Sequence, residues 1–102
     1  MELNLKDRLM ILRILPKEGN LITLRLLREL ITKLGITDEE HKEYDIVQKD
    51  GRISWDDQKA SELKEFELGD ATMGVIKDEL NKLNKQNKLD MELLSLADKF
   101  ID

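Results

Sequence analysis

The sequence has no cysteine, one proline, five glycines and only 4% aromatic residues among its 102 positions. The missing thiols exclude disulfides, thiolate metal sites and cysteine nucleophiles, and they suit a reducing compartment, so we expect a cytoplasmic protein. The single histidine, His41, excludes a zinc site built on two or three imidazoles. Because Pro and Gly are scarce and long stretches are rich in Leu, Lys and Glu, the composition favours helix.

Long apolar runs are also missing. No stretch approaches the roughly 18 consecutive apolar residues of a membrane span, so we expect no membrane segment. The opening MELNLKDRLMILRILPKEG interleaves Lys and Arg with apolar residues, which predicts a first helix and not a signal peptide. The length and the 40% hydrophobic content predict a single domain over residues 1–102.

Charge is unevenly distributed along the chain, whose formal net charge is −5. Residues 1–33 carry seven Lys/Arg against four Asp/Glu, giving +3, and residues 34–102 carry ten against eighteen, giving −8. A globally acidic protein repels the phosphate backbone, so we expect nucleic-acid binding to be disfavoured. The basic first third leaves room for a local cationic patch, although a solvated surface is the simpler interpretation.

Apolar periodicity predicts five helices, near residues 5–15, 21–34, 38–44, 70–86 and 91–101. The residues expected to form the core are Leu9, Leu12, Leu24, Leu27, Ile31, Ile53, Trp55, Ile76, Leu80, Leu83, Leu93 and Phe100.

Local signals mark several helix ends. Thr37 and Glu40 have the spacing of a capping box at the start of the third helix. Gly35 predicts a left-handed end for the second helix, and Asp70 predicts an N-cap for the fourth.

The segment KDGRISWDD lies between the third and fourth helices. Asp-Gly favours a two-residue type I′ turn, because that turn needs positive φ at both central positions. With the turn at Asp50-Gly51, a hairpin over residues 46–55 has four predicted pairs: Lys49 with Arg52, Gln48 with Ile53, Val47 with Ser54, and Ile46 with Trp55. Residues 64–68 alternate in polarity and are compatible with a third strand.

The same segment partly matches a twelve-residue calcium loop, in which Gly51 would take the sixth position. Ile46 then occupies the first ligand position and offers no side-chain oxygen, whereas the hairpin accounts for every residue. We therefore predict no metal site. Nor does the chain contain G-x-G-x-x-G, a P-loop or G-x-S-x-G, so we assign no catalytic residue, no cofactor and no enzymatic activity.

Together these elements predict a mostly helical α+β fold, with about five helices around a short hairpin. The order helix, helix, short helix, hairpin is winged-helix-like, and it defines an alternative function as a DNA-binding regulator. Arg25, Arg28, Lys49 and Arg52 are the candidate contacts for that alternative. The would-be recognition helix is a poor major-groove reader, because TDEEHKEYD carries five acids against a single lysine.

The segments ILPKEGNLITLRLLRELITKLGITDEEHKEY, ISWD, LGDAT and KLDMELLSLADKFI resemble small uncharacterised proteins encoded by bacteriophages and prophages. The resemblance implies a short accessory protein of the host cytoplasm or the virion, and it assigns no binding residue. We therefore predict a non-catalytic protein-interaction module whose partner is either another protein or, in a homodimer, a second copy of the chain.

Overall fold

The computed structural model describes residues 1–101, so Asp102 lies outside it. The described residues form six helices: α1 (Leu5–Ile14), α2 (Leu21–Leu34), α3 (Asp38–Glu43), α4 (Asp57–Ala60), α5 (Asp70–Lys85) and α6 (Met91–Phe100). They also form two antiparallel strand pairs: β1 (Glu2–Leu3) with β4 (Lys64–Glu65), and β2 (Val47–Lys49) with β3 (Arg52–Ser54). The predicted mostly helical α+β class is confirmed, and the four-residue α4 adds to the five helices expected.

The main core lies among four helices, because α1 packs against α2, α5 and α6, while α5 also packs against α2 and α6. Its buried residues are Leu3, Ile11, Leu15, Leu27, Leu30, Leu34, Ile76, Leu80, Leu93, Leu96 and Phe100. Removing this much aliphatic surface from water is the main source of stability, at roughly 25 cal/mol per Å².

The predicted core is partly confirmed. Leu27, Ile76, Leu80, Leu93 and Phe100 are buried, and Leu9, Leu12, Leu83 and Trp55 are half-buried against the interior. The prediction is wrong for Leu24, Ile31 and Ile53, which are exposed. For α2 the reason is geometric: eight of its fourteen residues are apolar, and only the face bearing Leu27, Leu30 and Leu34 points inward.

The predicted hairpin is confirmed in its turn and register. Asp50 and Gly51 have φ of 54° and 75°, and the three pairs formed by β2 and β3 are those expected. The hairpin lies outside the main core, however, with all six strand residues exposed. Trp55 packs instead into a second, smaller cluster around Leu5, Tyr44 and Ala60. Ile53 belongs to the part of the ribbon that extends beyond this cluster, which explains its exposure.

Residues 64–68 form a strand only over Lys64–Glu65, and that strand pairs with β1, not with the hairpin. The sequence pattern missed β1, because two residues are too few to show alternation.

Of the three predicted features at helix ends, one is confirmed and two are wrong. Thr37 and Glu40 form the expected capping box. Gly69, not Asp70, is the N-cap residue of α5, since Asp70 already belongs to the helix. Gly35 has φ of −58° and so is not left-handed. Its carbonyl, like that of Leu34, accepts a hydrogen bond from a side chain of α1, so no left-handed turn is needed to satisfy these groups.

Within residues 1–101, none of the helices combines the length and apolar character that crossing a bilayer requires.

Candidate functional site

Two clusters of basic residues stand out, and the first is centred on Arg8. The Arg8 side chain is only 2% exposed. Its Nε donates to the carbonyl oxygen of Leu34 at 3.1 Å, and its Nη2 donates to that of Gly35 at 2.7 Å. Both terminal nitrogens also donate to Glu40, at 2.5 and 2.9 Å. We call this arrangement the Arg8 clamp, because it joins α1 to the end of α2 and to the start of α3.

Other groups complete the clamp. The Arg8 guanidinium lies over the Phe66 ring, with its Cζ atom 5.0 Å from the ring centroid. Lys64 Nζ lies 3.2 Å from a carboxylate oxygen of both Glu40 and Glu43. The hydrogen bond from Arg8 is the largest of the effects that hold the pKa of Glu40 at about 2; the Thr37 backbone and Lys64 also lower it, while burial opposes them.

Every nitrogen of the Arg8 guanidinium and both carboxylate oxygens of Glu40 have a hydrogen-bond partner. Among the described residues, no buried side-chain nitrogen or oxygen lacks a hydrogen-bond partner. A guanidinium whose three nitrogens all donate hydrogen bonds, and a carboxylate that stays ionised at neutral pH, are poorly suited to proton transfer near that pH. The clamp is therefore a structural element that fixes helix positions.

The second cluster surrounds an apolar depression between the end of α1 and one side of α2. Its volume is about 520 Å³. It is lined by Leu12, Arg13, Leu15, Pro16, Lys17, Leu24, Leu27, Arg28, Ile31 and Thr32. A neighbouring depression of about 400 Å³, lined by Leu21, Leu24, Arg25 and Arg28, shares two of these residues. We call the continuous surface the α2 groove.

The floor of the α2 groove is aliphatic and accessible. Leu21, Leu24 and Ile31 are 61%, 42% and 56% exposed, although aliphatic side chains on a folded protein are more stable when covered. The groove contains no aromatic side chain and no carboxylate. Its polar groups are almost entirely cationic.

Four cations line this groove on a protein of net charge −5: Arg13, Lys17, Arg25 and Arg28. Arg13 lies 3.6 Å from a carboxylate oxygen of Asp90 and 3.9 Å from one of Glu92. No ion pair to the other three is formed within residues 1–101. The groove therefore combines uncovered apolar area with uncompensated positive charge.

Metal-binding groups are not gathered anywhere in the described part of the chain, where no three His, Cys, Asp or Glu side chains are placed to hold an ion. His41 is exposed on α3.

The four predicted nucleic-acid contacts fall into two separate pairs. Arg25 and Arg28 both line the α2 groove, whereas Lys49 and Arg52 face each other across the hairpin. All four are exposed.

The sequence pattern does not reveal the groove, because it places Leu24 and Ile31 in the core. It shows Lys17 and Arg13 only as part of a basic segment. One signal was present: eight of the fourteen residues of α2 are apolar, and the stripe they form is wider than the face that carries its buried residues. None of the family models, curated proteins or solved structures compared with the chain matches it.

Proposed function

We propose that the protein is a non-catalytic accessory module that binds a protein partner through the α2 groove. The single observation that carries this proposal is the exposure of Leu21, Leu24 and Ile31 on one helix, next to a depression large enough for several side chains. Apolar patches bordered by polar groups are typical of protein-binding surfaces. The resemblance to phage and prophage proteins, together with the lack of cysteine, favours a cytoplasmic, phage-related setting.

The chain offers a matched pair of residues to test this proposal. Ile31 and Ile22 are both exposed isoleucines of α2, but only Ile31 lines the groove. In affinity capture from bacterial lysate, Ile31→Gln should lose a partner that both the wild-type protein and Ile22→Gln retain. Circular dichroism should show that both variants remain folded. A partner retained equally by the two variants would contradict binding at the groove.

DNA binding is the alternative, and the acidic helix that lies between its two pairs of candidate contacts in the sequence weighs against it. Phosphate contacts would have to come from Arg25 and Arg28 on α2 and from Lys49 and Arg52 on the hairpin. The helix between these two elements, α3, begins with three acidic residues. Titration of a labelled duplex at several salt concentrations tests it, since phosphate binding gives a steep salt dependence.

A further inference from the structure

We infer that the occupant of the α2 groove is an acidic amphipathic helix of a partner protein, which inserts aliphatic side chains between α1 and α2 and sets its carboxylates against the cationic rim. This inference rests on the proposed function and specifies the partner's chemistry.

A helix suits the groove better than the other common forms of bound peptide. Adding a strand requires unpaired backbone groups on the host, but most residues that line the groove belong to α1 and α2, whose interior N–H and C=O groups are bonded within each helix. Polyproline segments dock onto aromatic side chains, and this groove has none. Aliphatic anchors one or two turns apart on a helix match a floor formed by side chains that are themselves spaced along a helix.

The length of the surface agrees with this form. Lining residues run along α2 from Leu21 to Thr32, which corresponds to roughly 16 Å at 1.5 Å per residue, or about three turns of a partner helix lying alongside. Three turns present about three anchors at the spacing i, i+4 and i+7.

The charge of the groove selects an acidic partner. Its lining has four cations and no acid, and Arg13 already pairs with the carboxylates of Asp90 and Glu92 at the start of α6. The whole molecule has a net charge of −5, so the cationic lining of the groove attracts an acidic segment against a net repulsion from the protein as a whole.

A second copy of this chain fits less well. Two-fold symmetric pairing through the groove would set its cationic lining, which holds no carboxylate, against the same lining of the other copy. Like charges brought together in this way oppose association.

The experiment is a display selection with the full chain as target. The library consists of side-chain-stapled helical peptides of about 14 residues, with Leu fixed at i, i+4 and i+7 and the flanking positions randomised among Glu, Lys, Gln and Ala. We expect the selected peptides to be enriched in Glu beside the leucines, and to bind less tightly as salt is raised. Arg28→Glu should weaken their binding roughly fivefold, while the control Lys77→Glu, on the exposed side of α5, should leave it within twofold.

Several results would overturn the inference. Peptides enriched in Lys, peptides without charge preference, or an equal selection on the Ile31→Gln variant would each show that the occupant is not an acidic helix in this groove. A concentration-dependent dimer in sedimentation, or binding to anionic lipid vesicles, that Ile31→Gln abolishes would assign the groove to a second copy or to a membrane. If the peptide selection fails but the lysate capture still yields a partner that depends on Ile31, the proposed function stands and only the acidic helix is wrong. Dimer formation or vesicle binding through the groove would instead overturn the proposed function as well.

Discussion

Arg8 and Arg28 both belong to the basic first third of the chain, but Arg8 is buried and hydrogen-bonded within the fold, whereas Arg28 is exposed. Arg8 is buried, and its nitrogens bond two carbonyl groups and one carboxylate. Arg28 is exposed beside an apolar floor, with no ion pair among the described residues. The net charge of +3 for residues 1–33 therefore includes one arginine that is neutralised inside the fold and other basic residues that remain available to a partner. The role of a basic residue depends on the acceptors that surround it.

The largest expected effect comes from removing the buried arginine. Arg8→Met should lower the free energy of unfolding by about 3–5 kcal/mol, because the Glu40 carboxylate and two helix-terminal carbonyls lose their donors in a partly buried place. Urea denaturation followed by circular dichroism measures the change.

The matched control is Arg28→Met, which should change stability by no more than about 0.5 kcal/mol. If both substitutions cost the same, the contrast between the clamp and the groove would be wrong. Should Arg8→Met fail to fold, Arg8→Lys provides a milder variant, which keeps the charge but loses the paired geometry and should still cost more than Arg28→Met.

The second effect is a pH dependence that arises in the clamp. The Glu40 pKa is about 2 in the folded chain, against an ordinary value of 4.5. Since the folded-state pKa is the lower one, the carboxylate stabilises the fold fully above pH 4.5, and this contribution is lost as the pH falls toward 2. The loss should amount to about 3 kcal/mol.

Unfolding free energies measured between pH 7 and 2 in wild type, Glu40→Gln and Glu39→Gln test this expectation. Glu39 is the exposed neighbour of Glu40 on the same short helix. Glu40→Gln should be less stable at pH 7 and should lose less on acidification, whereas Glu39→Gln should follow the wild-type curve. Parallel curves for all three proteins would show that Glu40 does not carry the effect.

A smaller effect is expected at Gly35, whose carbonyl the clamp binds. A Cβ at this position would lie 2.7 Å from the Ile31 carbonyl oxygen, so Gly35→Ala must displace backbone and should cost about 1–2 kcal/mol. Gly74 lies inside α5 and a Cβ there meets nothing within 4 Å, so Gly74→Ala should instead stabilise by about 0.5–1 kcal/mol. Thermal denaturation of the two variants should show shifts of opposite sign; a stabilising Gly35→Ala would contradict the close approach.

Features that depend on neighbouring residues could be predicted from the sequence. The turn at Asp50-Gly51 needs positive φ at two adjacent positions, and the capping box needs Thr37 and Glu40 three residues apart. Both signals are complete within a few residues, and both are confirmed.

Features that depend on distant residues could not be predicted. Arg8 and Glu40 are 32 positions apart, and nothing local to either indicates that they meet. The groove has a related cause: periodicity shows that α2 has apolar residues on several sides, but only the packing of α1 and α5 decides which side is covered. Leu24 and Ile31 were misassigned for this reason.

A comparison of two neighbouring residues of α2 tests that misassignment directly. Leu30 and Ile31 are adjacent in α2, the first fully buried and the second 56% exposed. Leu30→Ala should cost about 2–5 kcal/mol through lost burial and a cavity, whereas Ile31→Ala should stay within about 1 kcal/mol, because little burial is lost and Ala favours helix more than Ile does. Chemical denaturation of both variants measures the difference. A loss above about 2 kcal/mol for Ile31→Ala would mean that the chain already covers this side chain, leaving the α2 groove no floor to offer a partner.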